Sequence, residues 1–256
     1  MWNSITITNN QIKNEDIKKI IDGKNSAIII KKFLKKEDCK KIIRKISSMN
    51  IERDSNKFNH IGPFLMNYTT KKEKYFQNAE KANQVFKKIF SNVENPVNKI
   101  KTTISKIFPD YKISGIRENQ RNYALCTIRR HENGKSIPLH KDNVSYEGVE
   151  YEVSKINTQL SCILHLQETE KGGNLSIYNK RWKKKLEKYR EIEFGYNSNI
   201  KKKSLSDTIE TKLGDLVIIN PNYLHEVKEI QGISDRVTLG MFFGIENKTK
   251  KIFFWA

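Results

Sequence analysis

Apolar positions along this chain recur with two periods, and the change of period divides it into two regions. Ala27-Ile28-Ile29-Ile30, followed by Phe33-Leu34, is a short continuous apolar run of the kind a buried strand needs. Just beyond it, Cys39, Ile42, Ile43 and Ile46 within Lys36 to Ser48 return every three or four residues, so the strand leads into an amphipathic helix. Tyr75, Ala79, Ala82, Phe86 and Ile89 repeat that spacing between Lys71 and Phe90, and a further helical stretch from Val97 to Phe108 is stopped by Pro109. Residues 1–110 are therefore expected to form a mainly helical layer.

Beyond Tyr111 the texture changes to short strands, expected at Tyr123 to Arg130, Thr158 to Leu166, Asn174 to Tyr178, Asp215 to Ile219, His225 to Lys228 and Val237 to Gly244. Gly, Pro, Asn and Asp clusters separate them. Many short strands with turn signals suggest a barrel or jelly roll. The expected fold is α+β with a mainly β core, a single domain over 1–256 with the core in 111–256. Arg181 to Thr211 interrupts the rhythm: it is polar, rich in Lys, Glu and Asn, and opens with a helical stretch, Trp182 to Ile192. Such excursions are surface insertions or lids. Trp182, Tyr189, Phe194 and Tyr196 give this one apolar side chains that a solvated linker does not need.

Composition narrows the class. With 256 residues and 37% hydrophobic content, the chain can build a sizeable core. It has no apolar run of membrane-spanning length, and MWNSITITNN lacks the basic and apolar regions of a secretory signal, so a cytoplasmic location without membrane association is expected. Cys39, Cys126 and Cys162 are odd in number and in no CxxC pattern, which argues for small buried hydrophobes rather than disulfides or structural zinc. The formal charge of +19 raises a polyanion-binding hypothesis. Yet only nine of the 48 basic residues are Arg, and the Lys excess travels with Asn and Ile, as an AT-rich coding sequence would produce. Runs such as Lys201-Lys202-Lys203 read as solvated faces.

Five histidines carry the candidate chemistry: His60, His131, His140, His165 and His225. In Pro138-Leu139-His140-Lys141-Asp142 an extended backbone puts residues 140 and 142 on one face, so imidazole and carboxylate converge. His225 follows the segment Gly214-Asp215-Leu216-Val217-Ile218-Ile219-Asn220-Pro221, from which a second strand can bring a third ligand to the same point. Two His and one carboxylate leave three open positions on an octahedral iron(II), the arrangement that permits oxygen activation. His60 and His165 belong to no ligand pattern and read as packed or surface histidines.

The tripeptide alone is a weak motif, and its surroundings supply the specificity. Gly134 precedes His140, Gly172-Gly173 opens a strand after it, Gly214-Asp215 precedes His225, and Arg236 follows that histidine. In order and spacing the segment from Asn122 to Gly244 resembles the iron(II)- and 2-oxoglutarate-dependent oxygenases, whose core is a double-stranded β-helix. The resemblance implies iron(II) held by His140, Asp142 and His225, 2-oxoglutarate as co-substrate with its far carboxylate on Arg236, and dioxygen as oxidant. An Arg suits a carboxylate because its planar fork bonds bidentately. Thr238 adds a hydroxyl on the same side. His131 stands where prolyl 4-hydroxylase-like members often have a Tyr on the co-substrate, and strand alternation sets Arg129 and Thr127 beside it as further contacts.

Related halogenases replace the carboxylate of the triad with Gly or Ala to free a chloride site. Asp142 therefore makes this sequence resemble a hydroxylase, releasing succinate and carbon dioxide. A small-molecule substrate, such as an amino acid or natural-product intermediate, fits best. Nucleic-acid demethylases of the alkylation-repair type carry a second Arg six residues after the first, where this chain has Phe242, so nucleic acid is not the expected partner. A prolyl-type protein hydroxylase shares the core pattern but usually has Lys where Arg236 stands, and a non-catalytic binding barrel would keep the fold without turnover. Oligomeric state is not legible in the pattern.

Overall fold

The computed structural model describes residues 2–8, 11–49, 52–53, 59–192 and 194–256. Four helices of two turns or more form the N-terminal layer: α1 (Asn14–Ile21), α2 (Lys36–Ser47), α3 (Lys72–Ile89) and α4 (Pro96–Ile107). Each exists because its apolar positions make one stripe; α2 buries Cys39, Ile42 and Ile46, and α3 buries Tyr75, Ala79, Ala82, Phe86 and Ile89. The start of α4 is set by the Asn95 side chain, which accepts from the Asn98 N–H at 3.1 Å, and by Pro96 in its first turn. Helix α1, absent from the sequence reading, is two turns long and buries only Ile17 and Ile20, too few positions to register as a period.

The principal strands are β1 (Ile5–Ile7), β2 (Ala27–Ile30), β3 (Thr127–His131), β4 (Ile137–His140), β5 (Thr158–Gln167), β6 (Leu175–Arg181), β7 (Ser206–Ile209), β8 (Leu216–Ile219), β9 (Tyr223–Val227), β10 (Arg236–Glu246) and β11 (Lys251–Trp255). Among the described residues they build two facing sheets of a jelly roll. The larger has ten strands in the order β1-β2-β8-β5-β10-β3, continued by Asn59–Ile61 and Glu52–Arg53, with β11 and Lys112–Gly115 attached at the far half of β10. The smaller is β7-β6-β9-β4. Residues 1–110 thus contribute strands to the main sheet as well as helices, since β2 pairs antiparallel with β8 over Ala27 to Ile30.

Strands β5 and β10 run through the middle and are buried on both faces. Leu160, Cys162, Leu164 and Leu166 of β5 and Val237, Leu239 and Phe243 of β10 join Ile42, Phe86 and Ile100 of the helices in one core. The alternate residues Ser161, Ile163, Thr238, Gly240 and Phe242 face the space between the sheets and line a cavity there. A one-residue slip of β10 would exchange these two sets, so burial on the helical side fixes which side chains reach the cavity. At the closed end of the sandwich, Ala27, Ile29, Leu175, Ile177, Val217, Ile219 and Val227 fill the gap with hydrocarbon.

All three cysteines are buried and free, and burial pushes the Cys39 thiol up to about 12, so they behave as small apolar groups. No helix among the described residues is long and apolar enough to cross a membrane.

Candidate metal centre

His140 ends β4 and His225 sits in the middle of β9, where the ladder makes them direct cross-strand partners. Their ring centroids lie 4.1 Å apart. Two residues past His140, the Asp142 N–H bonds the Pro221 carbonyl at 2.9 Å, which holds the carboxylate against the start of β9. Asp142 Oδ2 lies 3.7 Å from His225 Nε2, and one ligand atom from each of the three residues falls within 4.8 Å of the others. The sequence-predicted triad therefore converges.

Hydrogen bonds orient both imidazoles. Nδ1 of His140 meets the Pro138 carbonyl and Nδ1 of His225 meets the Tyr223 carbonyl, each at 2.8 Å. A carbonyl only accepts, so Nδ1 carries the proton in both rings and each Nε2 lone pair is left for a metal. Burial, then the neighbouring His225, push the His140 imidazolium down to about 4. Burial alone would raise the Asp142 carboxyl, but the neighbouring His225, His140 and Arg129 hold it down, at about 2. Near neutrality, then, His140 is neutral and Asp142 ionised, the protonation that a divalent metal requires. Three buried donors of this chemistry, aimed at one point, fit iron(II).

The triad opens into a small cavity of ≈ 40 Å³ between the sheets. Arg236, at the start of β10, lies across from His131 of β3 and is 2% exposed. Among the described residues no hydrogen bond or ion pair reaches its guanidinium, and its buried Nε has no partner. Burial lowers its pKa to about 10, with the Glu168 charge opposing, so it remains a cation at neutral pH. Gly173 makes room for it: at φ +67° an added Cβ would stand 3.0 Å from Arg236 Cδ. A desolvated forked cation without an anion, beside Thr238 and in the same cavity as the triad, fits the far carboxylate of 2-oxoglutarate.

The remaining expected contacts separate. His131 and Arg129 line the cavity; burial and the nearby charges of Arg236 and Arg129 keep the His131 imidazole neutral. Thr127 shares their face through its pairing with Gly240, yet its hydroxyl donates to the Pro63 carbonyl at 3.1 Å and it is not among the cavity-lining residues. His165 packs beneath the cavity wall, with Nδ1 2.6 Å from Glu168.

Residues 181–211 differ from the expected helix at Trp182 to Ile192. The chain instead makes a 3-10 helix at Lys184–Tyr189, a bridge between Arg190 and Tyr196, a second 3-10 turn at Ser198–Lys201, and then β7; residue 193 lies outside the described residues. Backbone bonds from Trp182 N to Asn222 O at 2.7 Å and from Tyr196 N to Leu139 O at 2.8 Å pin it to the triad strands. Leu186, Tyr196 and Ile200 pack on Leu139, Tyr178 and Leu224, while Tyr189 stays exposed. Phe194 reaches inward, its ring edge-on to His140 at 5.8 Å between centroids. Lys141, between the two triad residues, is buried under Trp182 and Tyr146 and ion-paired to Glu147 at 2.5 Å, and Glu147 also holds Arg190 at 2.9 Å.

Sequence reasoning passed over Ser161, Gln159 and Phe194 as parts of the site. Ser161 and Gln159 are isolated polar residues in an apolar strand, a readable signal: Ser161 lines the cavity, and Gln159 Oε1 accepts from Val144 N at 2.8 Å, fixing the turn after Asp142.

Comparisons with known proteins bear on this geometry. Residues 1–256 match the family model described as carrier-protein-independent halogenase WelO5. A curated relative, the leucinostatins biosynthesis cluster protein S of Purpureocillium lilacinum, is 27% identical over 181 residues, which is 68% of this chain and 73% of that protein. Among solved structures, an N-substituted L-amino acid dioxygenase from Burkholderia ambifaria AMMD, crystallised with α-ketoglutarate, superposes with a TM-score of 0.64 at 16% identity, covering 93% of this chain and 90% of that one. A 2OG-Fe(II) oxygenase family oxidoreductase from Burkholderia pseudomallei gives 0.50 at 11% identity over 94% of each chain.

Proposed function

The chain belongs to the carrier-protein-independent halogenase WelO5 family of iron(II)- and 2-oxoglutarate-dependent oxygenases, and on that premise we propose that it hydroxylates, rather than halogenates, an unactivated C–H bond of a small molecule. The observation that carries this reading is Asp142: the third donor of the buried triad is a carboxylate, where halogenases have a residue without one. The Purpureocillium relative is named for a biosynthesis cluster, and the Burkholderia ambifaria neighbour for N-substituted L-amino acids, which supports substrates of small-molecule size.

When bound, iron(II) with 2-oxoglutarate and dioxygen supplies the oxidising power for attack on a C–H bond, releasing succinate and carbon dioxide. The chain's own residues position and enclose. His140, Asp142 and His225 would hold the metal, and the Pro138 and Tyr223 carbonyls keep both rings in the donating tautomer. Arg236 takes the far carboxylate of 2-oxoglutarate, with Thr238 beside it. Phe242, Ile163, Leu175 and Val227 wall the remaining space with hydrocarbon, which excludes water from the reacting groups.

The test is a small-molecule screen for oxygen-dependent succinate formation, with products weighed in the presence and absence of chloride. A product gaining one oxygen atom irrespective of chloride is expected; a chlorinated product from the wild-type enzyme would sink the hydroxylase reading. In Asp142→Gly, hydroxylation should fall by at least about 100-fold, since a lost ligand outweighs a lost outer-shell partner.

Residues 181–211 act, in this reading, as a lid whose body is anchored and whose tip carries Phe194 onto His140. Fixing the His140 ring through a metal then steadies the tip. Trypsin should cut after Lys188 or Arg190 several-fold more slowly in protein loaded anaerobically with iron(II) and 2-oxoglutarate than in the metal-free protein. Equal cleavage rates would make the segment a plain surface insertion.

A further inference from the structure

Two arginines share the cavity, and the proposed function uses one. Arg129 stands across from Thr238 on β3, diagonal to Arg236, on the same inward face. Neighbours so placed are roughly 7–8 Å apart. Its guanidinium lies 4.7 Å from the centroid of the Phe64 ring and crosses Gly240, where an added Cβ would stand 3.6 Å from Nη2. Phe64 in turn packs on Phe242, so the cation rests on an aromatic ledge at the cavity wall. Among the described residues no carboxylate is ion-paired to it and no side-chain hydrogen bond is made to it; it is half-buried, and burial lowers its pKa against the opposing charge of Asp142. Its field is felt at Asp142, His140, His131 and Arg236, which places it within electrostatic reach of the metal centre.

A second guanidinium beside the first carries an unfavourable charge–charge term and a desolvation penalty, which the charges of Asp142 on Arg129 and Glu168 on Arg236 only partly offset. The far carboxylate of 2-oxoglutarate neutralises one cation. The other is left for a second anion in the same cavity, at the height of Thr238, Gly240 and Phe242. Arg selects planar oxyanions, and the Phe64 ledge fixes the plane of its fork.

We propose that Arg129 is the receptor for a carboxylate of the primary substrate, so that the enzyme acts on small carboxylic acids whose apolar part lies along Phe242 and Ile163 towards the triad. This rests on the oxygenase reading and adds to it the chemical class of the substrate. The walls agree with the assignment. One charged contact fixes the acid end, and Ile163 and Phe242 offer hydrocarbon to the rest.

The test uses matched probes: straight-chain carboxylates from butanoate to dodecanoate and N-acetylated apolar L-amino acids, each paired with its primary amide. Binding is measured by calorimetry on protein loaded with zinc(II) and 2-oxoglutarate, which cannot turn over, and succinate release is measured with iron(II). At least one acid should bind the wild type ten-fold or more tightly than its amide. Arg129→Met should weaken that acid by roughly 30-fold or more, as expected on deleting one side of a charged pair, and erase the preference over the amide. Arg129→Lys, which keeps the charge but not the fork, should retain part of the preference and serves if the Met variant folds poorly. Three results would each overturn the inference: no acid preferred over its amide, a preference that survives in Arg129→Met, or an Arg129→Met variant in which 2-oxoglutarate is lost and the acid preference is not. Slow succinate formation without any added substrate separates the readings; its absence in the wild type would count against the oxygenase assignment instead.

Discussion

His140→Ala and His225→Ala are each expected to abolish the weak visible charge-transfer band that anaerobic iron(II) and 2-oxoglutarate give with the wild type, and with it all succinate formation. Each ring supplies one of three donors clustered within 4.8 Å, and no other group of three His, Cys, Asp or Glu among the described residues is placed to hold a metal. A two-donor remnant cannot fix 2-oxoglutarate in one geometry. Folding is separable from metal loss, because losing an imidazole leaves only the Pro138 or Tyr223 carbonyl without its donor, about 1–3 kcal/mol. Saturating metal at a hundred times its Kd should stabilise the wild type by about 2.7 kcal/mol, a rise of roughly 5–10 °C in Tm, and should leave the Tm of either variant where it was. Low pH should not mimic the mutation until far below neutrality. Burial holds His140 neutral down to about 4, and Asp142 stays ionised down to about 2, so these two donors need no deprotonation at pH 6. A charge-transfer band that survives in both variants would move the metal elsewhere.

The triad was legible because its geometry is local. Residues 140 and 142 face one way on any extended backbone, and the strand carrying His225 is announced by the apolar run Leu216 to Ile219 before it. Arg236 is singled out in the sequence only by its place after His225; that it is buried without an ion-pair partner depends on Gly173 giving way and on the helices covering the far face of β10, which no window of sequence contains. Thr127 shows the limit of alternation. The pleat does point it inward, but the Pro63 carbonyl, remote in sequence, takes its hydroxyl. Residues 182–192 have helical spacing, yet the Asn222 and Leu139 carbonyls capture Trp182 N and Tyr196 N, so tertiary bonds override a weak local preference. The short α1 and β11 were missed for a related reason: their stability comes from the faces they cover.

Arg236→Leu carries the other large effect, and its sign differs between two measurements. In the wild type the guanidinium is already desolvated, lowered to about 10 by burial, with Nε unpartnered. The protein therefore holds an unfavourable buried cation that a carboxylate would relieve. Deleting it should weaken 2-oxoglutarate by about 2–5 kcal/mol, or roughly 30- to 5000-fold in Kd, while iron(II) affinity measured without co-substrate changes little. The same substitution replaces an unpaired buried charge with hydrocarbon in a wall that already contains Ile163, Leu175 and Val227, so the Tm of the metal-free protein should stay level or rise. A structural role for Arg236 would give the reverse, a lower Tm with 2-oxoglutarate affinity intact. Arg236→Lys should fall between wild type and Leu, since an ammonium keeps the charge and loses the fork that meets both carboxylate oxygens. Unaltered 2-oxoglutarate affinity in Arg236→Leu would transfer the co-substrate to Arg129, and with it would go the assignment of that residue to the substrate.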